Sequence, residues 1–400
     1  MTQIITDEKI INDLLDRRIE QAIPGKEELK RLLLSGKKLK IYQGFDPSSA
    51  NLHIGHIVGI LVLKILHDLG HEVIFLIGDF TATIGDPTGK DKARIPLTIE
   101  KTRENAKTYQ EQVKSILSFE GENPVSMRFN SEWLAGMNMT EVLQFAMNFT
   151  AQQILERDMY QKRLKEGKPI SLHEFLYPVL VTKDAISLDV DIEMGGTDQI
   201  FNMSVGRHLI KALTGKDKLT MAVPLLTDTN GKKFGKSEGN AINIVEKAEN
   251  LFGQIMSLTD EAIMPCFRLI TLIPTEKLPT EEEIKNNPME QKKKLAWELV
   301  KMLHDENTAN LAQEHFEKTV QADETPENMP EYKIEQGSKK NLIDFLAETN
   351  LTISKSEAKR LVEQNAVKID GQIMTNPKQE IELKAGMILK VGKRKWLKLV

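Results

Sequence analysis

Near the beginning of this chain two short apolar strands flank one apolar helix, and that arrangement constrains the fold more than any other feature. Residues 39–45 (LKIYQGF) are rich in β-branched and aromatic side chains, residues 57–69 (IVGILVLKILHDL) form a mostly apolar helical run stopped by Gly70, and residues 72–77 (EVIFLI) are a second strand. Strands this apolar cannot leave a face in water. They belong in a parallel sheet covered on both sides, with the helix as a right-handed crossover. The expected fold class is therefore α/β, a Rossmann-like doubly wound parallel sheet. Ligands of such sheets bind beyond the carboxyl ends of the strands. The stretch joining the first strand to the helix, residues 46–56, is thus the first place to look for chemistry.

The remaining pattern divides the chain. Apolar positions recur at helical spacing from Ile10 to Leu34 and break at Pro24-Gly25, which predicts two helices ahead of the first strand. A largely helical insertion is expected over about 101–166, and α/β pattern returns at 187–194 and 219–226, so a first, α/β domain spans 1–244. A charged helical domain follows over 245–325, with its clearest amphipathic run at 291–303, then a linker at 326–337 and a small α+β domain at 338–400. The whole chain carries a formal net charge of −4, which by itself announces no polyanion partner, but residues 338–400 hold 13 Lys+Arg against 7 Asp+Glu. Nucleic-acid contact, if any, is local to this tail. The one cysteine, Cys266, lies among apolar neighbours and reads as a small buried hydrophobe. No stretch reads as a secretory signal or a membrane span, so a cytoplasmic location with no membrane contact is expected.

Residues 46–56 read Asp46-Pro47-Ser48-Ser49-Ala50-Asn51-Leu52-His53-Ile54-Gly55-His56. A helix start presents unpaired N–H groups and a positive dipole end, and a glycine lets phosphate oxygens approach the main chain. Either histidine alone reads as an ordinary surface or core residue. Two of them flanking a glycine at a strand-to-helix turn read as donors to a polyphosphate. The spacing is neither a Walker loop nor a GxGxxG dinucleotide turn. Downstream, after the apolar run ending at Leu226, comes Lys232-Lys233-Phe234-Gly235-Lys236-Ser237-Glu238-Gly239-Asn240. Alone it is a solvated basic turn; with the first motif it becomes a cationic loop for the same phosphates.

These two stretches resemble the signature motifs of the class I aminoacyl-tRNA synthetases. Four further blocks carry the resemblance to the tyrosyl branch of that family in its bacterial form: Tyr42-Gln43-Gly44-Phe45-Asp46, Ile84 through Lys90, Tyr177 through Asp184, and Gly195-Gly196-Thr197-Asp198-Gln199. In the tail, Ser354 through Val362 and Ala366 through Gly371 are similar to an S4 RNA-binding domain. The resemblance implies activation of L-tyrosine by ATP, as its Mg2+ complex, and transfer to the 3′ end of tRNA(Tyr). It implies no tightly bound, protein-ligated metal. Tyr42 and Asp184 would hold the phenolic hydroxyl, Asp86 and Tyr177 the ammonium group, and Gln199 the carboxylate side. Gly44, Asp46, Gly196 and Asp198 would surround the adenosine, with Asp198 on the ribose. Ser48, Gly55, His53 and His56 would face phosphate, with Lys233, Lys236 and Ser237 closing over it; the catalytic set is His53, His56, Lys233, Lys236 and Ser48. Lys359, Arg360, Lys368, Lys393, Arg394 and Lys395 would bind RNA, while Trp396 packs the domain or stacks on a base. Family members are homodimers joined through the helical insertion, and their helical domain meets the anticodon.

Three positions depart from the family pattern. Val181 stands where a glutamine usually helps to bind the amino acid, Gln43 where a smaller ribose-contacting residue is common, and Gly59 where the helix is often polar. Gln43 and Gly59 imply altered ATP contacts, and Val181 keeps open the alternative of a class I paralogue activating a different or modified amino acid.

Overall fold

The chain opens with α1 (Glu8–Arg18), a short strand β1 (Gln21–Ile23) and α2 (Lys26–Leu33), then enters the expected unit of β2 (Lys40–Phe45), α3 (Ile54–Asp68) and β3 (Glu72–Ile77). This is the arrangement in the computed structural model, which describes residues 3–87, 96–227, 234, 241–318, 329–334, 337–392 and 395–400. Three more strands, β4 (Ser126–Phe129), β5 (Ile192–Gly196) and β6 (Leu219–Val223), complete a six-stranded sheet in the order β1-β6-β5-β2-β3-β4. All neighbours are parallel except β1, which runs antiparallel to β6. The chain builds outward from β2 to β4 and then returns to add β5 on the other side. The point where the order reverses lies between β2 and β5, and their carboxyl ends open there.

Two strands differ from the sequence reading. The helices expected ahead of the first strand are separated by β1, and the insertion at about 101–166 contains β4 as well as helices. Three- and four-residue strands are too short to show alternation. What makes them strands is an available sheet edge.

Contacts divide the chain into two units, Met1–Lys247 with Gln254–Glu306, and Ala248–Gly253 with Asn307–Val400. In the first, α3 is buried on nearly every side, from Ile54 through Leu66, because it lies between the sheet and the helix Ile263–Ile270. Gly70 ends α3 with φ of +94°, and a side chain there would strike the backbone of Gln3. Two buried arginines attach α1 to the helix Ile263–Ile270. Arg17 donates to the carbonyls of Phe267 (2.8 Å) and Ile273 (2.6 Å), and Arg18 to that of Leu269 (2.7 Å). Phe267 and Leu269 lie in the last turn of that helix, whose carbonyls a helix end leaves without intrahelical partners, and Ile273 just beyond it. Burial, and then the neighbouring Arg17 charge, bring the Arg18 guanidinium down to about 9.

The second unit has its own core, in which Leu342, Phe345, Leu346, Val362, Val367 and Leu389 are fully buried. Two helices, Leu342–Glu348 and Lys355–Glu363, pack with a five-stranded sheet whose central strand is Ile388–Val391. The small α+β character expected for the tail is therefore present. Glu331–Tyr332 joins the same sheet beside Lys395–Leu399, so its first strand starts inside the stretch read as a linker.

A candidate active site at the carboxyl ends of β2 and β5

The loop after β2 is held from outside by the insertion. Asn105 donates to the Pro47 carbonyl (2.8 Å), Tyr109 to that of Ser49 (2.6 Å) and Gln112 to that of Ala50 (2.8 Å), while the Gln112 amide oxygen accepts from Leu52 N–H (2.8 Å). From the other side the segment after the second motif closes onto the first, with Ile54 N–H donating to Ile242 O (2.9 Å) and Ile244 N–H to Leu52 O (3.1 Å). The loop is thus fixed at both ends before any ligand arrives.

His53 caps α3, and its backbone N–H donates to His56 Nδ1 at 3.0 Å. An accepting Nδ1 puts the ring proton of neutral His56 on Nε2. The two rings lie 3.9 Å apart. Gly55 sits between His53 and Phe234 of the second motif, and a Cβ there would come 3.2 Å from the Phe234 carbonyl oxygen. Both signature stretches therefore meet at one glycine.

A cavity of about 640 Å³ opens at this point. It is lined by Tyr42, Gly44, Asp46, Ser48, His53, Gly55, His56, Asp86, Tyr177, Asp184, Gly196, Asp198 and Gln199, which are all the described candidates from the first unit. Lys233, Lys236 and Ser237 lie outside the described residues, as do Lys393 and Arg394 of the tail. In the second unit Lys359, Arg360 and Lys395 are exposed and Lys368 is half-buried. Trp396 is half-buried beneath the Lys390 ammonium, 4.6 Å from the ring centre, an arrangement that uses the indole for packing.

Inside the cavity the polar groups are interlocked. Tyr177 Oη donates to Asp46 (2.9 Å), whose other oxygen accepts from Thr81 (2.8 Å). Gln199 donates to Asp86 (2.8 Å) and accepts from Asn202 (2.7 Å), and Arg157 lies 3.7 Å from the same Asp86. At the floor, Asp184 accepts from Trp133 Nε1 (2.7 Å) and Asn130 Nδ2 (3.1 Å). Burial raises the Asp184 carboxyl well above its ordinary value, against the pull of those two donors. Burial likewise raises the Tyr42 hydroxyl well above the usual phenol range, helped by Glu193 and Asp184.

The departures are also accounted for in space. Gln43 lies across Gly59, so a larger residue on α3 would have to displace the Gln43 amide from its present position. Of residues 181–183, Val181 is the one that lines the cavity. Its neighbour Thr182 turns to Pro178 O (3.0 Å) and packs on Gly206, and Lys183 turns outward over the Phe145 ring. Glu193, Asn130, Trp133 and Asn202 were not anticipated. Only Glu193 had a sequence signal, a carboxylate inside an otherwise apolar strand.

Comparison with known proteins gives a consistent picture. Residues 34–321 match the profile of the class I tRNA synthetases (W and Y), and residues 321–399 that of the SYY-like C-terminal domain of tyrosine–tRNA ligases. A tyrosine–tRNA ligase of Dehalococcoides mccartyi is 42% identical over 398 residues, covering 98% of this chain and 99% of the relative. One of Thermotoga maritima is 42% identical over 391 residues, 96% of each. Among solved structures, a C-terminally truncated mitochondrial tyrosyl-tRNA synthetase of Aspergillus nidulans superposes with a TM-score of 0.65 at 23% identity, covering 77% of this chain and 93% of that one. The tyrosyl-tRNA synthetase of Archaeoglobus fulgidus complexed with L-tyrosine gives 0.58 at 21%, covering 76% and 99%.

Proposed function

Because the chain belongs to the class I tRNA synthetases of the tryptophan and tyrosine type and is a tyrosine–tRNA ligase, we propose that its cavity seats tyrosine with the phenol between Tyr42 and Asp184. Asp86 and Tyr177 take the ammonium group and Gln199 lies on the carboxylate side. ATP enters as its Mg2+ complex from the α3 end, with Gly44, Asp46, Gly196 and Asp198 around the adenosine and the Asp198 carboxylate on the ribose. Ser48, Gly55, His53 and His56 meet the phosphates, and Lys233, Lys236 and Ser237 cover them. The observation that supports this reading is the continuity of one cavity from Tyr42 and Asp184 to the paired histidines.

In the first half-reaction a tyrosine carboxylate oxygen attacks the α-phosphorus and pyrophosphate leaves. In the second, a hydroxyl of the tRNA's terminal ribose attacks the acyl carbon and AMP leaves. Neither step needs a strong base at the histidines. Their part is to stand as fixed N–H donors where negative charge grows on the phosphoryl oxygens, in a site that is already organised.

The helical segment 245–325 is assigned to the anticodon side of tRNA(Tyr) and residues 338–400 to its long variable arm, with Lys359, Arg360, Lys368, Lys393, Arg394 and Lys395 supplying phosphate contacts. A second copy of the chain covers the helix Met139–Ala146. That helix buries none of its residues, and Met139, Leu143 and Met147 are 72%, 58% and 82% exposed, an apolar face unsuited to water. Among the described residues no helix is long and apolar enough to cross a membrane, and we assign the enzyme to the cytoplasm.

Pyrophosphate exchange measured with each of the twenty amino acids tests the reading of the cavity. Tyrosine is expected to support the fastest exchange at low concentration. A stronger response to another amino acid would overturn the assignment of Tyr42 and Asp184 to a phenol.

A further inference from the structure

Beneath the proposed phenol site lies a pair of charges that nothing above assigns. The parallel register of β2 and β5 sets Tyr42 directly opposite Glu193, and Tyr42 Oη lies 2.5 Å from Glu193 Oε1. Glu193 Oε2 is in turn ion-paired with Lys218 Nζ, which also donates to the Met203 carbonyl (3.0 Å). Lys218 is 1% and Glu193 3% exposed. A buried lysine with a carboxylate on one side and a carbonyl on the other is in its charged form, and a charged partner keeps Glu193 a carboxylate.

An ionised carboxylate only accepts hydrogen bonds. The proton between Tyr42 and Glu193 therefore belongs to Tyr42 and points away from the cavity. What Tyr42 turns toward a ligand is its lone pair.

We propose that Glu193 and Lys218 are positioning residues that fix the polarity of the phenol site, so that Tyr42 serves the substrate only as an acceptor and the site selects a para substituent that donates. This rests on the reading of Tyr42 as the phenol's partner. The chemical class admitted is then wider than tyrosine in one direction only. A 4-amino group, which donates two hydrogens, fits; a 4-fluoro group, which donates none, does not. Asp184 meets the same substituent from the helix Leu176–Leu188; a phenol that gives its one hydrogen to Tyr42 can only accept from Asp184, whose carboxyl is raised by burial toward the protonated form that donates.

The substitution that reverses this polarity is Glu193→Gln. The carboxamide oxygen turns to Lys218, which must be met by an acceptor, and the amide N–H group faces Tyr42 Oη and donates to it. The Tyr42 proton then swings into the cavity. Lys218→Met has the same effect by another route, since a buried Glu193 without its counter-charge takes up a proton and becomes able to donate. Tyrosine tolerates the reversal, because a hydroxyl both donates and accepts. An aromatic amine, a poor acceptor, does not.

The experiment is pyrophosphate exchange by parent, E193Q and K218M with tyrosine, 4-aminophenylalanine, 4-fluorophenylalanine and phenylalanine. In the parent, kcat/KM for 4-aminophenylalanine should exceed that for 4-fluorophenylalanine by about tenfold, one neutral hydrogen bond. In both variants the ratio of 4-aminophenylalanine to tyrosine should fall by about the same factor, chiefly through KM. The ratio does not change when part of a preparation is misfolded, so a merely structural role for the pair would leave it unmoved. An unchanged ratio in either active variant overturns the proposal. If neither variant folds, the parent decides, and equal use of the amino and fluoro analogues overturns it. A parent that does not prefer tyrosine at all overturns the underlying reading of Tyr42 instead, a separate outcome.

Discussion

Around the cavity of the first unit several polar side chains are held by others from distant parts of the chain: Tyr177 by Asp46, Gln199 by Asp86, Asp184 by Trp133 and Asn130. On the second unit Lys359 and Arg360 stand exposed on one helix, and the ion pair that Lys359 makes, with Glu363 at 3.8 Å, lies at the surface. The first arrangement concentrates its effect in a few atoms at set positions. The second spreads charge over a face whose own fold rests on a separate apolar core. Loss of one group should therefore be severe and specific in the first region, and shallow, additive and salt-dependent in the second.

The largest expected effect tests the first half of that contrast. His56→Ala should lower the rate of adenylate formation by about 10²–10³, the cost of removing one fixed donor to a developing charge, while tyrosine binding is unchanged. Single-turnover pyrophosphate exchange and equilibrium dialysis with tyrosine separate the two. A parallel loss of tyrosine affinity would break the assignment of His56 to phosphate.

A smaller effect, with the opposite sign, is expected at Val181. Val181→Gln restores an amide near the ammonium group, and its neighbours Thr182 and Lys183 already turn away from the cavity. A hydrogen bond to a charged group is worth about 1.5–3 kcal/mol, so KM for tyrosine should drop by roughly ten- to 150-fold. Discrimination against phenylalanine should persist, since Tyr42 and Asp184 are untouched. An unchanged KM would mean that Asp86 and Tyr177 already satisfy the ammonium.

The smallest effect belongs to the tail. Replacing Lys359 and Arg360 together by alanine should raise KM for tRNA a few-fold and reduce the slope of its logarithm against that of salt concentration by about one for each phosphate left without its cation. Charging assays at several salt concentrations measure both. A large, salt-independent loss would show instead that these side chains act as the cavity groups do.

Much of the site was legible because its chemistry demands particular residue types at short spacing. His53, Gly55 and His56 lie within one turn of helix, and Tyr42, Gly44 and Asp46 within one strand end, so their neighbourhood in sequence is their neighbourhood in space. Glu193 and Lys218 were not legible as a site. Their meaning comes from which residue of β5 lies opposite Tyr42, a matter of register between strands about 150 residues apart. Asn105, Tyr109 and Gln112 escaped notice for a related reason: they act through side chains on backbone atoms about 60 residues away, and no local pattern marks such a donor. Strands β1 and β4 were missed because their pairing, not their composition, makes them strands.

The clamp that the insertion places on the loop after β2 also sets the electrical character of that loop. A peptide group is a dipole, and its carbonyl end repels the phosphates its N–H end attracts. Along the loop the carbonyl oxygens of Asp46, Pro47, Ser49, Ala50, Asn51, Leu52 and His53 all accept a hydrogen bond, several of them from side chains of the insertion. Each of those donors draws negative charge out of the phosphate's view. Tyr109, Asn105 and Gln112 carry no formal charge, yet by covering carbonyls they make a neutral stretch of backbone behave toward ATP as though it were slightly cationic.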